Sequence, residues 1–403
     1  MPERHARPPI NTLAPFEPEN HMTKHSAHGS VRAPRRWAHY LLWLLLTTLL
    51  SACERPPVDT VQGGYRGTGM VQVYNPRTLA TQADLNAEPE IARAARLRPG
   101  APNAGEAYEN IKVLGDLSVT EFGRTMTAIT SWVSPKEGCL YCHVEGNFAS
   151  DEVYTKVVAR RMFQMVQHMN ATWRDHLGQS GVTCYTCHRG HPVPQNIWVK
   201  PIPRERHGSA LGDRAGQNVA AATVGLTSLP SDPFSIYLLG NDQVRVNGPS
   251  ALLPTADTRG APLKKAEHTY ALMMHMSKSL GVNCTYCHNG QSFQSWEIST
   301  PQRVTAWHGI RLVRDLNQEY LTADPLLHIF PANRRGPMGD VAKVNCATCH
   351  QGAYKPLYGS HLAKYYPAVL PTDMRPEVPL AAPPRGAPLP PVRPDPTVTY
   401  ARP

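Results

Sequence analysis

Five residues, Cys-x-x-Cys-His, recur four times along the chain and limit most of what it can become. The copies are "CLYCH" at 139–143, "CYTCH" at 184–188, "CTYCH" at 284–288 and "CATCH" at 346–350. Eight of the nine cysteines stand in these copies, and the ninth, Cys53, closes an apolar run near the N-terminus. No cysteine is left over for a disulfide framework. A Cys-x-x-Cys pair can serve a structural zinc site, a redox dithiol or a short disulfide, and one copy would leave the choice open. Two zinc sites built from four knuckles give no reason for a histidine directly after every second cysteine. Covalent haem does: the cysteines form thioethers with the vinyl groups, and the next imidazole reaches the iron. The count predicts four c-type haems, held by Cys139, Cys142, Cys184, Cys187, Cys284, Cys287, Cys346 and Cys349. His143, His188, His288 and His350 are then the first axial ligands. Zinc and redox dithiols stay as the alternatives to be weighed.

Four haems also bear on what the composition allows. Only 7% of the 403 residues are aromatic, and just seven are Phe. That is thin for a core of this size, and haem planes would supply the missing apolar surface. The haem-free chain is therefore expected to fold poorly. The formal charge is +10. Six of the 41 basic and three of the 31 acidic residues lie in 1–52, which leaves +7 for the remainder. The haem propionates offset that excess, so the charge is not read as a nucleic-acid footprint.

The N-terminal stretch "RAPRRWAHYLLWLLLTTLLSAC" has a basic start (Arg32, Arg35, Arg36), an apolar run from Tyr40 to Leu50, and then "LSAC". The run is shorter than the about 20 residues of a membrane span and suits a signal peptide. The ending resembles a bacterial lipobox, with Cys53 as the lipidated residue. An uncleaved signal anchor is the alternative. Either way the rest of the chain is expected on the outer, periplasmic face of the inner membrane, where c-type haem is attached. Met22 offers a second start.

The predicted fold is mainly α, with long loops and little sheet. A loop-rich segment (53–110) follows the signal (1–52). Helix–turn–Cys-x-x-Cys-His units then come in two pairs, 111–191 and 263–365, which a local two-fold would relate. "GVTCYTCHRG" and "GVNCTYCHNG" match closely. Between the pairs, 192–262 is rich in Pro, Gly, Asn and Ser and reads as an irregular connector. From 366 the chain is Pro-rich and is expected to be an extended, disordered tail.

A haem that only transfers electrons takes a second protein ligand, Met or His. Met126 lies 13 residues before Cys139, and Met273 lies 11 before Cys284. Met162 lies 22 before Cys184, and the longer interval holds His176. The helix of unit four contains no Met. Counting then suggests Met162 for the second haem and lends His176 to the fourth. The rivals are Met274, Met276 and His275 in unit three, and His308 and Met338 in unit four. Met162, Met165 and Met169 are also spaced for core packing.

Taken together, "ARRMFQMVQHMN", "GVTCYTCHRG", "STPQRVTAWHGIRLVRDLN" and "AYKPLYGSHLAKYYP" resemble the tetrahaem cytochrome subunit of purple-bacterial photosynthetic reaction centres. The resemblance covers roughly Val61 to Leu370. It implies three Met–His haems and one bis-His haem, with Met126, Met162, Met273 and His176 as distal ligands. It also implies a function, the re-reduction of the photo-oxidised bacteriochlorophyll pair. The electrons would come from a soluble donor, a small cytochrome c or a high-potential iron–sulfur protein. The implied partners are the core subunits of the membrane complex, and the implied haem order is 3, 4, 2, 1 outward from the membrane. Arg303 resembles a family arginine that tunes haem 3, and an ordinary salt bridge is its alternative. Six-coordinate irons leave no position for substrate, so the chain is read as an electron carrier and not an enzyme. A multihaem reductase, or a free-standing periplasmic carrier, is the competing reading.

Overall fold

The computed structural model describes residues 35–51, 58–63, 68–92, 100–203, 218–246 and 261–376. They fall in two units, divided between Arg55 and Pro56. The first contains α1 (Arg35–Ser51), whose apolar side chains from Tyr40 to Leu46 are exposed. No described helix is long and apolar enough to cross a membrane. Cys53 lies outside the described residues.

The second unit is mainly helical. Its one described sheet is a hairpin, β1 (Asp59–Gln62) antiparallel to β2 (Val71–Tyr74), with Asp59 opposite Tyr74. Then come α2 (Pro76–Leu85), α3 (Ala104–Ala107), α4 (Val119–Val133), α5 (Tyr154–Thr172), α6 (Arg174–Leu177) and α7 (Cys184–His188). After the connector come α8 (Ala261–Leu280), α9 (Gln302–Asp315), α10 (Leu326–Ile329) and α11 (Cys346–His350). Helix α9 runs on into a π-helical turn, Leu316–Leu321.

Local chemistry sets the helix ends. Asn75 caps α2 by accepting from the Arg77 N–H, and Pro76 stands where its missing N–H costs nothing. Ser118 caps α4 by accepting from the Glu121 N–H at 3.2 Å. Helix α5 starts at Tyr154, after the acidic pair Asp151–Glu152. Asp151 instead gathers Lys112, Lys156 and Arg160, and Arg160 holds its carboxyl well below the usual carboxylate range.

Three sequence expectations need correction. The segment 53–110 is less loop-rich than expected. "VQVY" has the period-two, β-branched pattern of a strand, and Asn75-Pro76 is a helix start. Helix α8 begins at Ala261, inside the expected connector. The stretch 366–370 is core and not tail. Tyr366 is 1% exposed, its ring meets Trp132 edge-on at 4.6 Å, and its hydroxyl accepts from the Ala92 N–H. Residues 377–403, the Pro-rich remainder, lie outside the described residues.

Helix α4 carries a buried ion pair whose arginine ties it to that returning segment. Arg124 donates to Glu121 at 2.7 Å and twice to the Tyr365 carbonyl at 2.8 Å, and its guanidinium lies 4.2 Å over the Tyr366 ring. The two side chains are 6% and 3% exposed. Burial raises the Glu121 pKa, with Arg124 opposing it. Removing one partner of such a pair costs about 3–5 kcal/mol, because a charge is left buried alone. Arg124→Ala should lower the unfolding free energy of the holoprotein by about that amount. Glu121→Gln, which keeps an acceptor for Arg124, should cost clearly less. Denaturant titrations of the two variants check the order.

Candidate haem centres

Each of the four motif histidines points its Nδ1 at a backbone carbonyl. His143 meets Phe148 O at 3.0 Å, His188 meets His191 O at 2.8 Å, His288 meets Phe293 O at 2.8 Å, and His350 meets Ala353 O at 2.9 Å. A carbonyl can only accept, so Nδ1 carries the proton and Nε2 keeps its lone pair free. Loss of solvent depresses the pKa of His188 and His288, and takes His350 down to about 4. His188, His288 and His350 are therefore neutral at pH 7, the form that binds a metal.

The surroundings recur in alternate motifs. After motifs one and three, Phe148 and Phe293 stack on His143 and His288, with ring centres 4.8 and 5.3 Å apart. Thr155 and Thr300 donate back to Tyr141 O and Tyr286 O, each 14 residues earlier. Cations gather the loops: Lys156 donates to the Phe148, Ala149 and Ser150 carbonyls, and Arg303 to Ser295 O. Motifs two and four are each one helical turn, opened by a Thr186 or Thr348 bond to the preceding backbone N–H. Each closes on a left-handed residue, Arg189 or Gln351, before a positive-φ glycine. The two turns abut, with Cys187 Sγ 2.8 Å from Cys349 Sγ.

The candidate distal ligands divide as follows. A cavity of about 770 Å³ is lined by both cysteines and the histidine of motifs one and two, and by Met126 and Met162. Met165 and Met169 belong to the main core, at 7% and 2% exposure. In unit three, His275 is buried and locked between Thr223 O (2.8 Å) and the Ser279 hydroxyl (3.2 Å), and Met274 turns toward Gly225. Met273 is partly buried against the main core, as is Met276. In unit four, Met338 is 51% exposed, and His308 faces Asp175 at 3.8 Å. The ring of His176, 174 residues upstream of His350, faces it edge-on with centres 6.0 Å apart. His176 Nδ1 is spent on Thr305 O at 2.9 Å, so its Nε2 is free.

This donor set fits haem. The cavity is apolar and is lined by the thiols and the imidazole of two motifs. Two imidazoles sharing one metal through bonds of about 2 Å would have ring centres roughly 6 Å apart, the spacing of His176 and His350. Among the described residues, no three His, Cys, Asp or Glu side chains converge to hold a metal ion, as paired zinc knuckles would require. Burial pushes the Cys184, Cys287 and Cys346 thiols up to about 12.

The family model for the photosynthetic reaction centre cytochrome c subunit matches residues 54–370. The chain belongs to this family. The photosynthetic reaction center cytochrome c subunit of Rubrivivax gelatinosus is 55% identical over 323 residues, covering 80% of this chain and 86% of the relative. That of Thermochromatium tepidum is 49% identical, covering 83% and 80%, and that of Roseobacter denitrificans 40% identical, covering 78% and 86%.

In this cytochrome subunit the sequence missed several groups that fix the site. The carbonyls of Phe148, His191, Phe293, Ala353 and Thr305 orient the histidines, and no residue type announces a backbone acceptor. The stacking phenylalanines did leave a signal, His-x-x-x-x-Phe after motifs one and three. Among the described residues, Arg303 has no carboxylate partner. It donates to Ser295 O at 2.6 Å and to Ser299 Oγ at 2.8 Å, and stacks 4.0 Å over Trp296.

Proposed function

We propose that the chain is the electron-transfer subunit that re-reduces the photo-oxidised pigment pair of a reaction centre. Family membership over residues 54–370 carries this reading. Bound at the four motifs, haem supplies one-electron exchange between ferrous and ferric iron. The protein's part is to hold each iron on two sides, so that its coordination does not change with charge. We assign the thioether links to the eight motif cysteines and the proximal ligands to His143, His188, His288 and His350. The distal ligands are Met126, Met162 and Met273 for the first three haems, and His176 for the fourth. The facing rings of His176 and His350 support the last assignment. The two pairs, 111–191 and 263–365, are related by a local two-fold, a reading supported by the alternate recurrence of bonds around the motifs.

Held by these residues, each iron would keep no position for a substrate, which argues against a reductase. The subunit works on the periplasmic face of the inner membrane. A lipid on Cys53 and the contact with the core subunits give the two anchoring signals that stable attachment takes. Its electrons come from a soluble cytochrome c or a high-potential iron–sulfur protein. A flash given to purified membranes should oxidise c-type haem within the complex. If a flash oxidises none, the chain is a free-standing carrier instead.

A further inference from the structure

Units two and four reach their motifs through the same side chain. Asn170 accepts from the Val182 N–H at 2.8 Å and donates to Val182 O at 3.0 Å. Asn317 does the same to Val344, at 2.9 and 3.0 Å. Val182 and Val344 each stand two residues before the first motif cysteine, so position 170 corresponds to 317. The buried face confirms the register: Phe163, Met165, Val166 and Met169 correspond to Ile310, Leu312, Val313 and Leu316. His168 corresponds to Asp315, and these two bond each other at 2.7 Å, as equivalents near a two-fold axis can.

In this register the residue matching Met162 is Gly309. Its backbone gives no reason for glycine, since it lies inside α9 and is absent from the positive-φ residues. Its surroundings do. A Cβ at 309 would stand 2.5 Å from His176 Cε1 and 2.8 Å from Nδ1. That clash is with a ring held by Thr305 O and facing His350, not with the loose end of a flexible chain. The imidazole occupies the space in which a methionine side chain would begin.

We infer that Gly309 decides the ligand class of the fourth centre. Glycine in the methionine register admits the imidazole lent by unit two, and a side chain there excludes it. The inference rests on His176 being the distal ligand of the fourth haem. Gly309 touches no metal itself and acts as a specificity-determining residue.

Three holoprotein variants test it by carbon monoxide binding to the reduced haems and by the methionine–iron absorption. His176→Ala should give one haem of the four that binds carbon monoxide. Gly309→Ala should give the same single site although His176 is present. The double variant His176→Ala/Gly309→Met should lose that site again, gain methionine–iron absorption, and raise the midpoint potential of one haem. If His176→Ala binds no carbon monoxide, the ligand assignment fails and this inference with it. If His176→Ala binds it while Gly309→Ala behaves as the parent, the assignment stands and the role of Gly309 is overturned. Should Gly309→Ala not fold, the double variant decides, because the obstructing ring is gone. An open haem there overturns the inference.

Discussion

A chain in which all eight motif cysteines are serine should show no cooperative thermal unfolding by circular dichroism. Without covalent haem, the cavity between motifs one and two, about 770 Å³, has nothing to fill it. At the roughly 24 cal/mol per Å³ measured for engineered core cavities, a void of that size costs about 18 kcal/mol. Water entering at its mouth lowers that figure, but the cavity wall, which includes Phe122, Met126, Ile129 and Val133, is then apolar surface set against water in place of haem. Small domains hold only about 5–15 kcal/mol in total. The local devices that survive haem loss, such as the Asn170 and Asn317 brackets, are worth on the order of 1 kcal/mol per bond. They can hold turns but not the unit. A native-like, cooperative transition in this variant would mean that the polypeptide builds its own core after all.

His176→Met should raise the midpoint potential of one haem, leave the other three within error, and add methionine–iron absorption. Met leaves the iron at a higher potential than His, and axial ligands as a whole move haem potentials over about 0.8 V. The substitution sits on α6, which meets unit four through His176 and Asp175. Just ahead of it, Trp173 donates its indole N–H to Asp315 at 2.7 Å. The backbone at 176 is therefore held while the side chain changes, and the thioether's flexibility lets it reach the same point. A redox titration with spectra resolved per haem reads the result. If two haems shift, or none, His176 is not the single distal ligand of one centre.

The legible part of this chain is its covalent chemistry. Cys-x-x-Cys-His carries its meaning in five adjacent residues, so four candidate attachment sites and the histidine proposed for each can be nominated without knowing the fold. The helices α4, α5, α8 and α9 were visible too, because an apolar stripe at helical spacing is a local property. Met126 and Met162 could be nominated because a helix just upstream of a motif has few places to lie. The stretch around Tyr366 was misread for the complementary reason. Proline near it argues for an extended chain, but nothing local says that Trp132 and Arg124 wait for that ring 234 and 242 residues away.

What the sequence determined by itself is the number and spacing of the Cys-x-x-Cys-His motifs and the helical scaffold, since each depends on neighbours along the chain. Only the tertiary structure decided which carbonyl orients each histidine, and that the ring of His176 meets His350. It also gave the glycine at 309 its significance. In the sequence Gly309 is one small residue in a helix. Packed against α6, its missing side chain makes room for an imidazole, because two atoms cannot share the space a Cβ would take.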